Sequence, residues 1–469
     1  MDEFYTACAD VIQQVAEKRN SIRGAVYGSN IKAKKKMLLR VCCDVLKKLP
    51  FLRQLAEDSG LLKEAEFRKF PFLAEVLLYE QLFGHAGQNG TSVNCGKHRQ
   101  RLLRRRSDQI TAARERLETA GATTDESPDE IQRLPRYARL NDLISSKEEV
   151  IAEVKRAGWS LMEIPEGTKR KRFCRMVKEN KEEICYYDFD FDDFLVFPPM
   201  ADLHNFQPCC SGSLILQDKS SCLATRCLNP TKHSMVLDVC AAPGMKTSHL
   251  SCLMENTGKI FAVDRDRGRF ATMEKLLHQY GCQNVEPICA DALRLDLSQK
   301  RFSRVEYALV DPKCSGSGIV RRLDHLMPSA ETSLPDHSSA DPGTSNPGPE
   351  DSSKPSDPDL LRRLNSLGNL QAMLVKHVLR GLPGLKRLVY STCSRFEREN
   401  EAVIQEVLET VPEFRVVEPD WTAAGFRRTD WKHRGLKSYE FGRRCLRASP
   451  EKDATNGFFV CVLERVEPE

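Results

Sequence analysis

Apolar positions repeat at helical spacing through the N-terminal part of the chain and gather into short strand-length runs further on. Over residues 1–118, Val11 and Val15, then Leu73, Val76, Leu77 and Leu82, recur at helical spacing. That is the period of a helix burying one face, and it predicts an N-terminal helical domain. From Met235 onward the apolar runs Met235–Val239, Lys259–Val263, Val305–Val310 and Leu385–Tyr390 alternate with turns and helix-length segments. Strand, turn and helix in repetition predict an α/β fold, a doubly wound sheet with helices on both faces. Residues 134–212 combine a helical stretch, Lys147 to Ala157, with strand-like pieces such as Phe194–Phe197, which predicts a small α+β module.

Polar residues mark the joints. The stretch Thr123–Glu130 places a linker at 119–133, between the helical domain and the small module. A catalytic domain is then expected over 213–469. It is interrupted by 327–359, where Pro, Ser, Asp and Gly displace nearly every large apolar residue. Such a segment buries too little to order itself and is expected to be a disordered insertion, tolerated rather than functional.

Composition narrows the setting only slightly. The net charge of +5 with 29% charged residues is too mild to announce a polyanion partner. The basic residues are nevertheless clustered, at Lys32–Lys36, Lys97–Arg106 and Lys169–Arg172. Solvated helix faces, a targeting signal and phosphate contact remain open for each cluster. The opening Met1-Asp2-Glu3-Phe4 has no apolar signal core, so the 18 cysteines are expected to be intracellular and reduced. No apolar run approaches the ~20 residues of a membrane span, and a soluble protein is expected. Cys42-Cys43 and Cys209-Cys210 are adjacent pairs rather than Cys-x-x-Cys units, so no metal site is expected. Cys8, Cys252 and Cys282 read as small core residues.

The first strand of the α/β domain runs into Leu237-Asp238-Val239-Cys240-Ala241-Ala242-Pro243-Gly244-Met245-Lys246-Thr247. A phosphate-binding loop would need glycine where Met245 stands, and a dinucleotide fingerprint would need three glycines where only Gly244 is present. A small-residue loop under an adenosine-type ligand remains, followed by an amphipathic helix near Thr247. Asp264 ends the second strand, where a carboxylate can accept from both ribose hydroxyls, and Asp291 follows a third strand, placed for the adenine edge. Either aspartate alone reads equally well as an exposed turn residue. Two thiols, Cys314 in Val310-Asp311-Pro312-Lys313-Cys314-Ser315-Gly316-Ser317-Gly318 and Cys393 in Val389-Tyr390-Ser391-Thr392-Cys393-Ser394, each follow a strand. Parallel strands collect ligands at their carboxyl ends, so both thiols are expected at one pocket. A helix from about Glu397 would favour a thiolate at Cys393. Taken singly, each cysteine reads as an inert buried thiol.

These segments resemble the NOL1/NOP2/Sun RNA cytosine-5 methyltransferases, with Glu399-Asn400-Glu401, Arg139-Leu140-Asn141 and Leu214-Ile215-Leu216-Gln217-Asp218 extending the match from about residue 134 to the end. The N-terminal bundle, Leu446–Pro450 and Gly457–Val460 point to subfamily five, whose substrate is large-subunit ribosomal RNA. The chain departs from the pattern at Lys313, where a second proline is common, and in the insertion after Gly318.

The resemblance implies a class I, Rossmann-like methyltransferase fold that uses S-adenosylmethionine, held by Cys240, Ala241, Ala242, Pro243, Gly244, Met245, Lys246, Asp264, Asp291 and Asp311. It implies that Cys393 attacks C6 of the cytosine, that Asp311 hydrogen-bonds the base near N3 and N4, and that Cys314 serves release. DNA cytosine methyltransferases attack from the earlier position, so the residues alone leave the order of the two thiols open. Amino-methyltransferases carry an aromatic ring where Cys314 stands, which favours carbon over nitrogen as the target. A monomer acting on ribosomal RNA or pre-ribosomal particles in the nucleus and nucleolus is implied, with the small module binding RNA and Lys169–Arg172 suited to a nuclear signal. The alternative is a catalytically silent, RNA-binding ribosome-assembly factor that retains the fold.

Overall fold

The computed structural model describes residues 2–16, 22–31, 34–84, 93–119, 134–180, 183–199, 201–203, 205–320, 358–427 and 431–466. Most of the expected linker and insertion, together with Lys32, lies outside them. Pro358 and Asp359, assigned above to the insertion, open the helix Pro358–Gly381. The described residues fall into two compact units, one over those up to 119 and the other over those from 134 onward.

The first unit is helical in its described residues. Val11, Ile12 and Val15 of Asp2–Ala16 and Leu73, Val76 and Leu77 of Pro71–Leu82 share one apolar core. Its basic helix, Lys97–Arg105, is partly tied down: Arg99 pairs with Asp2 and Glu66, and Arg106, just past its end, gives two nitrogens to Glu64 Oε1 at 2.8 and 3.0 Å. Lys97, Arg101, Arg104 and Arg105 remain exposed.

The second unit holds two sheets. The smaller contains β1 (Arg136–Leu140), β2 (Ser160–Met162), β3 (Ile184–Tyr187), β4 (Phe194–Phe197) and β5 (Leu214–Leu216), in the order β2-β3-β4-β1-β5. All four residues of β4 are buried because both faces are covered. Leu195 and Phe197 pack with Val150 and Val154 of the helix Lys147–Arg156, while Phe194 and Val196 face Leu250, Ile260 and Val389 of the larger sheet's layers. Alternation along a strand thus joins the module to its neighbour. A capping box fixes the start of that helix, with Ser146 and Glu149 exchanging hydrogen bonds of 2.9 and 3.3 Å.

The larger sheet contains β6 (Met235–Val239), β7 (Lys259–Asp264), β8 (Val285–Cys289), β9 (Val305–Val310), β10 (Arg387–Thr392), β11 (Phe414–Val417), β12 (Leu446–Ala448) and β13 (Phe458–Arg465). Its order is β11-β13-β10-β9-β6-β7-β8, with β12 alongside β13. β6 to β10 run parallel, and β13 enters antiparallel between β10 and β11. From β6 the chain winds outward through β7 and β8, then returns to β9 on β6's other side. The order reverses there, so the crevice beyond the carboxyl ends of β6 and β9 is where a doubly wound sheet binds its ligand.

Candidate active site

One side of that crevice is the loop after β6. Cys240 has φ of 63° and Gly244 of 93°, and a Cβ on Gly244 would stand 3.0 Å from Met273 Cγ, so only glycine fits beneath the helix Arg267–Gln279. The following helix starts at Met245, two residues before the expected position. Ala241 N–H donates to Val263 O at 3.0 Å, and Ala242 N–H donates to Asp264 Oδ2 at 3.1 Å. Asp264 Oδ1 accepts from Asp266 N–H at 3.0 Å, with Arg269 3.8 Å from Oδ2. The carboxylate expected to receive ribose therefore also props the loop. Asp291 sits on the neighbouring turn, joined where Ala290 N–H donates to Asp264 O at 3.1 Å; its own carboxylate caps Leu293 N–H at 3.1 Å and lies 3.7 Å from Arg265.

At the root of the loop, Asp238 is buried. Its Oδ2 accepts from Thr247 Oγ1 at 2.6 Å, while Oδ1 has no hydrogen-bond partner. Burial pushes its carboxyl up to about 7, against the pull of Thr247 and Lys246 and helped by Asp311 and Asp264.

The other side is built from β9 and β10. Asp311 follows β9, and its two oxygens are held from two directions: Lys246 Nζ donates to Oδ2 at 2.7 Å and Ser391 Oγ to Oδ1 at 2.7 Å. Lys246 lies over the Phe458 ring at 5.2 Å, and although burial alone would lower it, Asp311 keeps the ammonium above its ordinary value. The thiols meet here, with Cys314 Sγ and Cys393 Sγ 3.0 Å apart. The hydrogen bond with Cys393 and then burial push the Cys314 thiol well up. Lys313, the departure from the double proline, is exposed, and its carbonyl accepts from Gln371 Nε2 at 3.0 Å.

Behind the thiols the chain is packed closely. Gly318 N–H donates to Cys393 O at 2.9 Å and Gly457 N–H to Gly318 O at 2.7 Å; a Cβ on Gly318 would lie 2.2 Å from Gly457 O. Val320 N–H donates to Asn456 Oδ1 at 3.1 Å.

One expectation is corrected. No α-helix starts at Glu397: a single 3-10 turn, Glu397–Glu399, comes first and the helix runs Glu401–Leu408, because Asn400 leaves the helical conformation to bond Thr392 and Ser394. The helix therefore opens four residues later than expected, with its N-cap Asn400 bonded to the residues on either side of Cys393. In Lys169–Arg172, Lys169, Lys171 and Arg172 are exposed and Arg170 is engaged. Arg170 makes two 2.6 Å bonds to Asp190 and stacks over Phe189 and Trp431. Lys246, placed only with the cofactor loop, also reaches Asp311; Ser391, Gln371 and Glu399 had been given no role. Their signal was presence in the quoted motifs, or, for Gln371, none.

The comparisons with known proteins agree with this geometry. Residues 225–333 and 361–464 match the family described as 16S rRNA methyltransferase RsmB/F, and residues 134–217 match the ferredoxin-like domain of NOL1/NOP2/Sun domain family member 5. The 26S rRNA (cytosine-C(5))-methyltransferase nsun-5 of Caenorhabditis elegans is 37% identical over 99% of both chains. The chain belongs to the NOL1/NOP2/Sun family, in its member-five branch. A second member, the 28S rRNA (cytosine-C(5))-methyltransferase of Mus musculus, is 36% identical over 99% of this chain and 91% of its own. Among solved structures, PH0851 aligns over 98% of this chain and 99% of its own with a TM-score of 0.60 and 20% identity, a likeness of fold. The NOL1/NOP2/Sun assignment covers both sheets of the second unit, and the full-length relatives extend it to the helical unit.

Proposed function

We propose that this chain transfers the methyl group of S-adenosylmethionine to C5 of a cytosine in large-subunit ribosomal RNA, with Cys393 as the covalent nucleophile. The observation that carries this reading is the 3.0 Å approach of two thiols beside a doubly held carboxylate at the switch point of the sheet. The relatives named above act on large-subunit RNA, and their similarity over nearly the whole chain supports the same substrate here.

The cofactor fits the residues present. Cys240 to Gly244 form a loop bare enough for close approach, with Met245 and Lys246 opening the helix that follows; Asp264 ends β7, Asp291 lies two residues past β8, and the unpartnered oxygen of Asp238 suits a ligand's ammonium group. S-adenosylmethionine supplies an electrophilic methyl group.

The protein's own part begins with the base. C5 of cytosine is a poor nucleophile until addition at C6 turns the ring into an enamine. Cys393 sulfur forms a bond to C6, and Asp311, fixed by Lys246 and Ser391, hydrogen-bonds the base near N3 and N4 as charge develops. C5 takes the methyl group, the C5 proton leaves to a base, and the C6–S bond breaks. Elimination returns Cys393 as the thiolate that attacked, and Cys314, kept as a thiol by its neighbour and by burial, hydrogen-bonds that sulfur as it departs. The target base must be flipped out or presented in a loop. We place this activity in the nucleus and nucleolus, on ribosomal RNA or pre-ribosomal particles.

Bisulfite sequencing of ribosomal RNA from cells carrying Cys393→Ala tests the reading: one large-subunit cytosine loses its methyl mark, and unchanged methylation at every cytosine refutes it. Cys314→Ala is expected to accumulate a covalent protein–RNA adduct. An adduct with Cys393→Ala instead exchanges the two roles.

A further inference from the structure

The residues that follow the two thiols are bound by one side chain. Glu399 is fully buried; its Oε1 accepts from Ser315 N–H at 2.8 Å and from Gln371 Nε2 at 3.1 Å, and its Oε2 accepts from Ser394 Oγ at 2.6 Å. Ser315 and Ser394 come directly after Cys314 and Cys393. Gln371, from the helix Pro358–Gly381, also donates to Lys313 O at 3.0 Å, so the Cys314 loop is held on both sides of its thiol. Tyr390 fixes the hub from below, donating to Glu399 O at 2.6 Å and to Gln371 Oε1 at 3.2 Å. Among the described residues no cation pairs with Glu399. Buried carboxylates ordinarily have a cation or a metal, and this one is satisfied by three neutral donors from three segments.

We propose that Glu399 is a positioning residue that sets the spacing of the two thiols, and so couples attack by Cys393 to release through Cys314. The inference rests on the covalent reading above. It follows from geometry: β9 and β10 fix where each loop leaves the sheet, but Cys314 lies four residues beyond β9 and Cys393 only one beyond β10, so the longer loop needs a tie to bring its sulfur back. The carboxylate is that tie. A carboxamide can keep it, because a glutamine oxygen still accepts from Ser315 and Gln371 while its NH2 donates to Ser394 Oγ. An alanine cannot.

The test uses full-length Glu399→Ala and Glu399→Gln with phenylarsine oxide, which bridges two closely spaced thiols, and peptide mapping to read the Cys314–Cys393 bridge. The wild-type chain and Glu399→Gln should form it stoichiometrically, and Glu399→Ala should lose it at least tenfold. With RNA and cofactor, Glu399→Ala should release product at least tenfold more slowly, its KM for RNA changing less than threefold, and accumulate the covalent adduct. Glu399→Gln should restore turnover. If Glu399→Ala does not fold, Ser394→Ala, which removes the Oε2 contact along with the Ser394 hydroxyl's contacts to Ser315 Oγ, Ser317 Oγ and Phe396 N–H, should show the same two changes at smaller size. Unchanged arsenical bridging in a folded Glu399→Ala or Ser394→Ala chain overturns the proposal, as does normal turnover. Full activity of Cys393→Ala would overturn the covalent reading instead, and the bridging result would still stand as a statement about spacing.

Discussion

Two buried clusters of opposite charge lie in the same unit and do different work. In the joint between the sheets, Lys219 is only 2% exposed at its side chain and donates to Asp188 at 3.1 Å and Asp190 at 2.9 Å, while Arg170 grips Asp190 from the other side. At the crevice, Lys246 donates to Asp311, whose side chain keeps 28% exposure. Burial alone would raise Asp190, but Lys219 and Arg170 outweigh it and hold its carboxyl down at about 2; burial lifts Asp188, and the two aspartates keep Lys219 well above its ordinary value. The joint is thus the more perturbed of the two clusters. Strong perturbation alone would pick the wrong site. What distinguishes Asp311 is its place at the strand-order reversal, with one face open to a ligand.

The contrast is broken most directly by Lys219→Met, which leaves two carboxylates facing each other in the joint and should cost ~3–5 kcal/mol in urea unfolding. A loss under about 1 kcal/mol would remove the joint from the argument. Asp311→Asn should do the reverse, slowing methyl transfer about 10²–10³-fold in a radiolabel assay while costing only ~1 kcal/mol of stability, because solvent screens the exposed partner. Arg170→Lys keeps the charge but loses the paired bonds to Asp190, and should cost about 1.5–3 kcal/mol with turnover of the folded enzyme unchanged. The smallest effect concerns Asp238. Its folded pKa, about 7, stands above the ~3.9 of an unfolded aspartate, so its contribution to stability is complete below about pH 4 and is lost as the pH rises through 7. Lys246 opposes that shift, while Asp311 and Asp264 reinforce it. Cofactor affinity by titration calorimetry should therefore rise about tenfold from pH 6 to 8 as Asp238 ionises to meet an ammonium, and Asp238→Asn should flatten the curve.

The parallel strands were the most legible part of the fold. β6 and β9 match their apolar runs end to end, and β7 gains one residue, because strands covered on both faces carry their signal in near-continuous apolar residues. The loop after β6 began where the small residues began. β2, with its exposed and half-exposed residues, and β13, whose place between β10 and β11 depends on pairing with distant segments, left no comparable mark. Both thiols were legible as motifs, and the structure brings them together. Glu399 was legible only as a letter in Glu399-Asn400-Glu401, since its three donors come from separate elements. Arg170 misled for the same reason: its partner lies twenty residues away, and nothing in Lys169–Arg172 says that one of the four is spoken for.

Gly318 and Gly457, pressed backbone to backbone, bear on how this chain can change through evolution. Beyond them Val320 is fastened to Asn456, ahead of the polar stretch read at 327–359. A stretch tethered at its base can lengthen, shorten or take on foreign sequence without moving the thiols, so selection on its length is uncoupled from selection on the chemistry. The two glycines have no such freedom: each fills the space a side chain on the other would need, and neither can vary without the other giving way.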